Sequence, residues 1–270
     1  MRVTIIGAGN LGGAIACGLA KGTFINAQNI TCVDHNPRSL EKMHATGLPF
    51  NLTTDLRKSI PDTDIFIIAV KPHAVCDVFE EGRDLMDIKR QIFFSVVAGV
   101  DFEDLDKCIL GDCKKPKIEP VIFRIVPNIA VSIGESITFI SSRNANSAQI
   151  KLAEAIFDEM GRTMVIPERL LPAAMAVGSC GIAYIMRYVR ASMNGAIEAG
   201  FTASDAHTIV LQTIKGAVDL LIENGDHPEI EIDRVVTPGG YTIKGLNAME
   251  EHGFSNAVIA GIRESYINGK

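Results

Sequence analysis

Two glycine-rich stretches hold the residues whose types and spacing suit chemistry. The first, "GAGNLG", sets Gly7, Gly9 and Gly12 in the pattern G-x-G-x-x-G. Alone that pattern is common. Here it follows a β-branched run, "RVTII", opens a helical stretch, "NLGGAIACGLAKG", and precedes a second strand-like run ending at Asp34. In that setting Gly7 permits a tight turn, Gly9 lets a pyrophosphate approach the backbone, and Gly12 lets helix and strand pack closely. The first helical residues, Asn10 and Leu11, then present their amides to the phosphates. The second stretch, "TPGGYT", runs from Thr237 to Thr242 and leads into "IKGLNAMEEHGF", which reads as a short amphipathic helix. Adjacent glycines and two hydroxyls at a helix start suit a small anion, because the amides are open and the helix end is partly positive.

Asp34 lies roughly 20 residues past the glycines, where an acidic group accepts hydrogen bonds from a ribose 2′-OH and repels a 2′-phosphate. It is also placed to cap the helix that follows. Asn36 and Arg38 come next, and an arginine there can bind a 2′-phosphate through two hydrogen bonds. NADH and NADPH both remain candidates on these residues.

The elements that must position these groups follow from periodicity. "TDIFIIAVKP", "RQIFFSVVAG" and "PVIFRIVPN" are apolar runs ended by proline or glycine, as expected of strands covered on both faces. "PRSLEKMHATG" is a helix opened by proline and closed by glycine. Strands alternating with helices predict an α/β fold with a doubly wound parallel sheet of the Rossmann type. From Ser147 onward, apart from a short strand in "RTMVIP", the periodicity is helical. The expected organisation is a dinucleotide-binding domain over residues 1–162 and an all-helical domain over 163–270.

Composition bounds the partners. With 270 residues, 47% of them hydrophobic, the chain can build one large or two modest cores. A net charge of −6 without a basic run argues against nucleic acid or an anionic membrane as partner. The nearly uncharged run from Leu170 to Met186 falls short of the roughly 20 residues of a membrane span. It reads instead as a helix buried in a core or a subunit interface. No signal peptide is expected ahead of the first strand, and the location expected is cytoplasmic. The six cysteines are scattered, and Cys108 and Cys113 lack metal-ligand spacing, so reduced thiols and no metal site are expected. The six histidines share no motif and read as surface or local structural residues.

Taken in order, "GAGNLG", "AVKP", "RIVPN" and "VTPGGYTIKGLNAMEEHGF" resemble the pyrroline-5-carboxylate reductase family along essentially the whole chain. The last block is the most specific. The resemblance implies hydride transfer from NADPH or NADH to the C=N bond of 1-pyrroline-5-carboxylate, giving L-proline, the last step of proline biosynthesis. It implies a helical C-terminal domain that dimerises by interleaving, and homodimers that assemble into a larger ring. It assigns the small anion as the substrate carboxylate, held by the amides of Gly239 and Gly240 and the hydroxyl of Thr237. Thr242 is implied to hydrogen-bond the imine nitrogen. Val70, Lys71 and Pro72 are implied to border the cofactor, Ala98 to leave room for the nicotinamide, and Asn128 to hydrogen-bond its ribose or carboxamide region. A protonated iminium accepts hydride readily, so positioning and electrostatics suffice and no catalytic dyad is needed.

The chain departs from the family pattern at one segment. The family usually shows Ser-Gly-Ser-Gly-Pro-Ala-Tyr where this chain has Gly178-Ser179-Cys180-Gly181-Ile182-Ala183-Tyr184, and Pro172 and Met175 stand where Asp and Thr are common. A reductase of a different cyclic imine and a non-catalytic NAD(P)-binding regulator of the same fold are the alternatives. A hydroxyacid dehydrogenase would need a general acid or base, commonly a lysine on the first long C-terminal helix, and "GIAYIMRYVRASMNGAIEAG" has none.

Overall fold

The structure, a computed structural model, describes residues 1–111 and 119–267; Cys113 lies outside them. It divides into two compact units, residues 1–179 and residues 180–267.

The first unit is built on eight strands: β1 (Val3–Ile6), β2 (Ile30–Val33), β3 (Asn51–Thr53), β4 (Ile65–Ile68), β5 (Ile92–Ser95), β6 (Val121–Val126), β7 (Ser136–Arg143) and β8 (Gly161–Val165). They form one sheet in the order β3-β2-β1-β4-β5-β6-β7-β8. Every pairing is parallel except β6 with β7, which is antiparallel. The chain works outward from β1 first on one side and then on the other. That reversal opens a crevice beyond the carboxyl ends of β1 and β4, the usual ligand position in such sheets.

Helices α1 (Asn10–Lys21), α2 (Pro37–His44), α3 (Val75–Gly82), α4 (Phe102–Leu110) and α5 (Ser147–Asp158) connect the strands, and a short α6 (Leu171–Ala174) follows β8. Local sequence sets their starts: Asn36 and Asp101 cap α2 and α4, and Asn146 with Gln149 makes a reciprocal capping box for α5. Neighbouring strand residues point to opposite faces, so an uninterrupted apolar strand feeds two cores. Ile5, Phe94 and Phe123 pack with Ile15, Leu19 and Phe157 on one face. Ile6, Phe66 and Phe93 pack with Phe79, Leu105 and Ile109 on the other. Each such buried side chain contributes about 1.5–3 kcal/mol of transfer free energy.

The core is tied down at one edge by Glu159. Its Oε1 accepts from Thr23 N–H at 2.6 Å, Thr23 Oγ1–H at 2.7 Å and Phe24 N–H at 2.9 Å. Burial raises the Glu159 carboxyl pKa, but these hydrogen bonds outweigh it and leave the group below its ordinary range. A carboxyl whose folded pKa is depressed stabilises the fold above its unfolded pKa, about 4.3, and loses that contribution as pH falls through the folded pKa. Glu159→Gln is therefore expected to be less stable than the parent at pH 7 by about 1 kcal/mol. The gap should close as urea titrations are carried below pH 4; a gap independent of pH would refute the assignment.

Two findings differ from expectation. Cys76 and Cys108 form a disulfide across 32 residues, with Cα atoms 4.5 Å apart, where reduced thiols are expected from the sequence. They meet because α3 and α4 lie side by side on one face of the sheet, which residue spacing does not reveal. Cys17, Cys32 and Cys180 are free. Burial, then the neighbouring Cys17, pushes the Cys32 thiol up to about 12, which makes it unreactive. Second, the apolar segment extends beyond the Leu170–Met186 run: Glu168–Glu198 is long and apolar enough to cross a membrane by length and composition alone.

The second unit contains α7 (Gly181–Glu198), α8 (Ala203–Asn224), α9 (Pro228–Val235), α10 (Tyr241–Glu251) and α11 (Phe254–Ile267). Among its described residues only Ala206 and Val210 are buried. Ile185, Met186, Leu220, Ile222 and Ile259 are exposed. Within the unit, the Tyr184 and Ser265 hydroxyls share a hydrogen bond, and Tyr188 packs on Phe254 with ring centroids 6.1 Å apart.

Candidate active site

The glycine turn sits at the carboxyl end of β1. Gly7 has φ +97°, and its N–H donates to Val33 O at 2.8 Å. A Cβ on Gly12 would lie 1.9 Å from the Gly7 carbonyl oxygen, so Gly12 is packed beneath the turn. Gly9 is the opposite case: a Cβ there would meet nothing within 4 Å. Its face is open to the crevice, where a phosphate can reach the first amides of α1, which no side chain caps.

Two clefts flank this turn within the first unit. One, of about 580 Å³, is lined by Gly7, Gly9, Asp34, Asn36, Val70 and Lys71, together with His35 and His73. The other, of about 490 Å³, is lined by Leu11, Ala98, Gly99 and Arg124, and by Leu171, Pro172, Met175 and Ser179. Asn10, Gly12, Arg38, Pro72 and Asn128 line neither.

The polar side chains are largely committed to the protein itself. Asp34 is buried, with Oδ2 accepting from Ala8 N–H at 2.9 Å and Oδ1 from Asn36 N–H at 2.8 Å. It braces the glycine turn against the end of β2, while Asn36, not Asp34, caps α2 by accepting from Arg38 N–H. The Arg38 side chain is exposed. Asn128 is buried; its Oδ1 accepts from Ala130 N–H and its Nδ2 donates to Gly178 O, each at 2.9 Å. That bond ties the end of β6 to a π-helical turn, Met175–Ser179, at the segment where the chain departs from the family pattern.

Three residues outside the sequence-derived set also line these clefts. His35 and His73 line the larger cleft, a position their adjacency to Asp34 and Pro72 would have signalled. Arg124 lines the smaller cleft and pairs with Glu168 at 2.7 Å. Nothing in the sequence links those two residues.

In the second unit, Thr237–Gly240 forms a turn. Gly240 N–H donates to Thr237 O at 2.9 Å, and Gly239 has φ +73° after Pro238. Proline then glycine at the two central positions is the signature of a type II turn. A Cβ on Gly240 would lie 2.3 Å from Thr237 Oγ1, so the turn packs the hydroxyl against the glycine. Gly240 is the N-cap of α10 and supplies no side-chain acceptor, leaving the first amides of that helix available. Thr242 is exposed in its first turn. The sequence-derived group Thr237, Gly239, Gly240 and Thr242 thus lies together on one turn and helix start.

No group of three or more metal-ligating side chains occurs among the described residues. A glycine turn at the reversal of a doubly wound sheet defines the class of dinucleotide-binding folds, here followed by a helical unit. Comparison with known proteins narrows the class. Residues 168–270 match the family described as pyrroline-5-carboxylate reductase dimerisation, and residues 2–99 match NADP oxidoreductase, coenzyme F420-dependent. Pyrroline-5-carboxylate reductase 2 of Dictyostelium discoideum is 34% identical over 97% of this chain and 89% of its own length. Reductase 1 of the same organism is 35% identical over 96% of this chain, which spans 48% of that protein's length. The crystal structure of Plasmodium falciparum pyrroline carboxylate reductase with NADP bound superposes with a TM-score of 0.89 at 23% identity, covering 100% of this chain and 97% of that one. The chain belongs to the pyrroline-5-carboxylate reductase family. It is an NAD(P)H-dependent oxidoreductase that reduces 1-pyrroline-5-carboxylate to L-proline, and it forms a homo-oligomer.

Proposed function

We propose that the two clefts along the glycine turn hold the dinucleotide and that the Thr237–Thr242 turn holds the substrate. The observation that carries this reading is the open face of Gly9 between two clefts at the sheet's reversal point. The adenosine end lies in the larger cleft, beside Asp34, Asn36, Val70 and Lys71, and the nicotinamide end lies in the smaller one, beside Leu11 and Ala98. Bound NAD(P)H supplies the hydride. The chain supplies the rest: Gly239 and Gly240 offer amides to the substrate carboxylate, Thr237 offers its hydroxyl, and the Thr242 hydroxyl orients the imine nitrogen. Residues 1–162, with the cleft wall added by Leu171, Pro172, Met175 and Ser179, carry the cofactor, and the rest of residues 163–270 carry substrate binding and dimerisation, in a cytoplasmic enzyme whose dimers build a larger ring.

NADPH is the proposed reductant. Asp34 is buried and each of its oxygens already accepts a backbone hydrogen bond, so only their remaining lone pairs are left for a 2′-OH. The exposed guanidinium of Arg38 is free to meet a 2′-phosphate. Steady-state oxidation of NADPH and NADH, with and without 1-pyrroline-5-carboxylate, tests the reading. NADPH should be preferred, and Arg38→Ala should raise KM for NADPH by about tenfold, the loss of one charge-assisted hydrogen bond, with KM for NADH unchanged. Equal changes for both reductants would remove Arg38 from the site.

A further inference from the structure

The wall of the smaller cleft contains an ion pair that the reaction chemistry does not require. Glu168 begins a 3-10 turn, Glu168–Leu170, just ahead of the wall residues Leu171, Pro172 and Met175. Its Oε1 accepts from Arg124 Nη1 at 2.7 Å and from Phe102 N–H at 2.9 Å. Phe102 is the first residue of α4, and the loop leading to it carries Ala98 and Gly99. The same Arg124 guanidinium lies 6.0 Å from the centre of the Phe102 ring.

One carboxylate oxygen therefore joins three segments that together enclose the cleft: the Ala98–Gly99 loop at its exit, the end of β6 at Arg124, and the segment leading into α6. The location favours a charge. A carboxylate at the N-terminus of α4 is stabilised by the helix amides. The Arg124 side chain is only 13% exposed, and without Glu168 it would stand in the cleft wall as a poorly solvated, unneutralised cation.

We propose that Glu168 is a positioning residue for hydride transfer, setting the width of the smaller cleft through Phe102 and Arg124. The proposal rests on the reading that this cleft takes the reacting end of the dinucleotide. Glu168 touches neither reactant in that reading; it holds the walls that do. Small misplacements of reacting groups cost up to about a hundredfold in rate, whereas the pyrophosphate and adenosine contacts lie in the other cleft and are untouched.

The test uses the full chain and steady-state kinetics with NADPH and 1-pyrroline-5-carboxylate, alongside cofactor titration by fluorescence to count competent sites. Glu168→Ala is expected to lower kcat per competent site by roughly tenfold, with KM for NADPH within about twofold of the parent. Glu168→Gln keeps an oxygen that accepts from Phe102 and Arg124 but drops the charge that neutralises Arg124, and it should recover part of kcat, to within about fivefold of the parent. Should Glu168→Ala not fold, Glu168→Asp, which keeps the charge and shortens the reach, carries the same expectation. An unchanged kcat overturns the proposal. So does a loss confined to the fraction of competent sites, or a Gln variant as impaired as the Ala variant. Absence of turnover in the unaltered protein overturns the underlying reading, and this proposal with it; normal parental turnover with unaffected variants overturns this proposal alone.

Discussion

Replacing Gly12 with alanine is expected to remove cofactor binding. The added Cβ would sit 1.9 Å from the Gly7 carbonyl oxygen and 3.1 Å from the Ala69 Cβ, and the closer obstacle is backbone that cannot swing aside. Gly7 cannot yield easily, because its φ of +97° and its bond to Val33 O fix the turn, and Ala69 crowds its other side. Helix α1 must therefore move off β1, carrying with it the uncapped amides proposed to meet the phosphates. An overpacked site of this kind costs about 3 kcal/mol, equivalent to roughly a hundredfold in a binding constant. Titration with NADPH and a thermal melt would register it as weakened binding together with a lowered Tm. Gly9→Ala supplies the contrast. It meets no protein atom within 4 Å, so the fold should be unaffected while the methyl group intrudes on the cleft and binding alone suffers. If Gly12→Ala bound NADPH normally, the close approach of α1 to β1 would not be what positions the cofactor.

Thr242→Ala is expected to act on the chemical step instead. Thr242 is exposed in the first turn of α10. Alanine is a better helix former, and the surface change should leave stability within about 0.5 kcal/mol. The proposed role is a hydrogen bond to the imine nitrogen as its bonding changes from C=N to C–N. Side chains that manage a proton at a reacting atom contribute about a hundredfold or more, and that loss should appear in kcat with the affinity for NADPH preserved. Thr242→Ser keeps the hydroxyl and should restore most of the rate. A Thr242→Ala enzyme with parental kcat, or one whose serine counterpart is equally slow, would take Thr242 out of the reaction.

The backbone of both glycine-rich turns was legible because glycine leaves a strong local signature. The G-x-G-x-x-G spacing, its neighbouring strand and the Thr-Pro-Gly-Gly turn are all matters of backbone geometry set by adjacent residues. The strand β7 was not legible. Its buried positions include Ser136, Thr138 and Ser141 across its two faces, so hydroxyls fall where apolar side chains are expected of a strand. At three residues, β3 was too short to show a period. The bonds of Asp34 to Ala8, Asn128 to Gly178 and Glu168 to Arg124 span 26, 50 and 44 residues, and only the folded sheet brings those partners together. Asp34 illustrates the consequence: its position in the motif was readable, but the use of its oxygens to brace the turn was not.

Within one protomer the second unit buries little more than Ala206 and Val210 of its own side chains, and leucine, isoleucine and methionine side chains along α7, α8 and α11 are left uncovered by that protomer. So thin a core leaves little free energy to offset the conformational entropy of ordering those helices. Their stability must come from association, and association obeys mass action. For this chain, then, the persistence of the helices bearing the Thr237–Thr242 turn is a function of protein concentration.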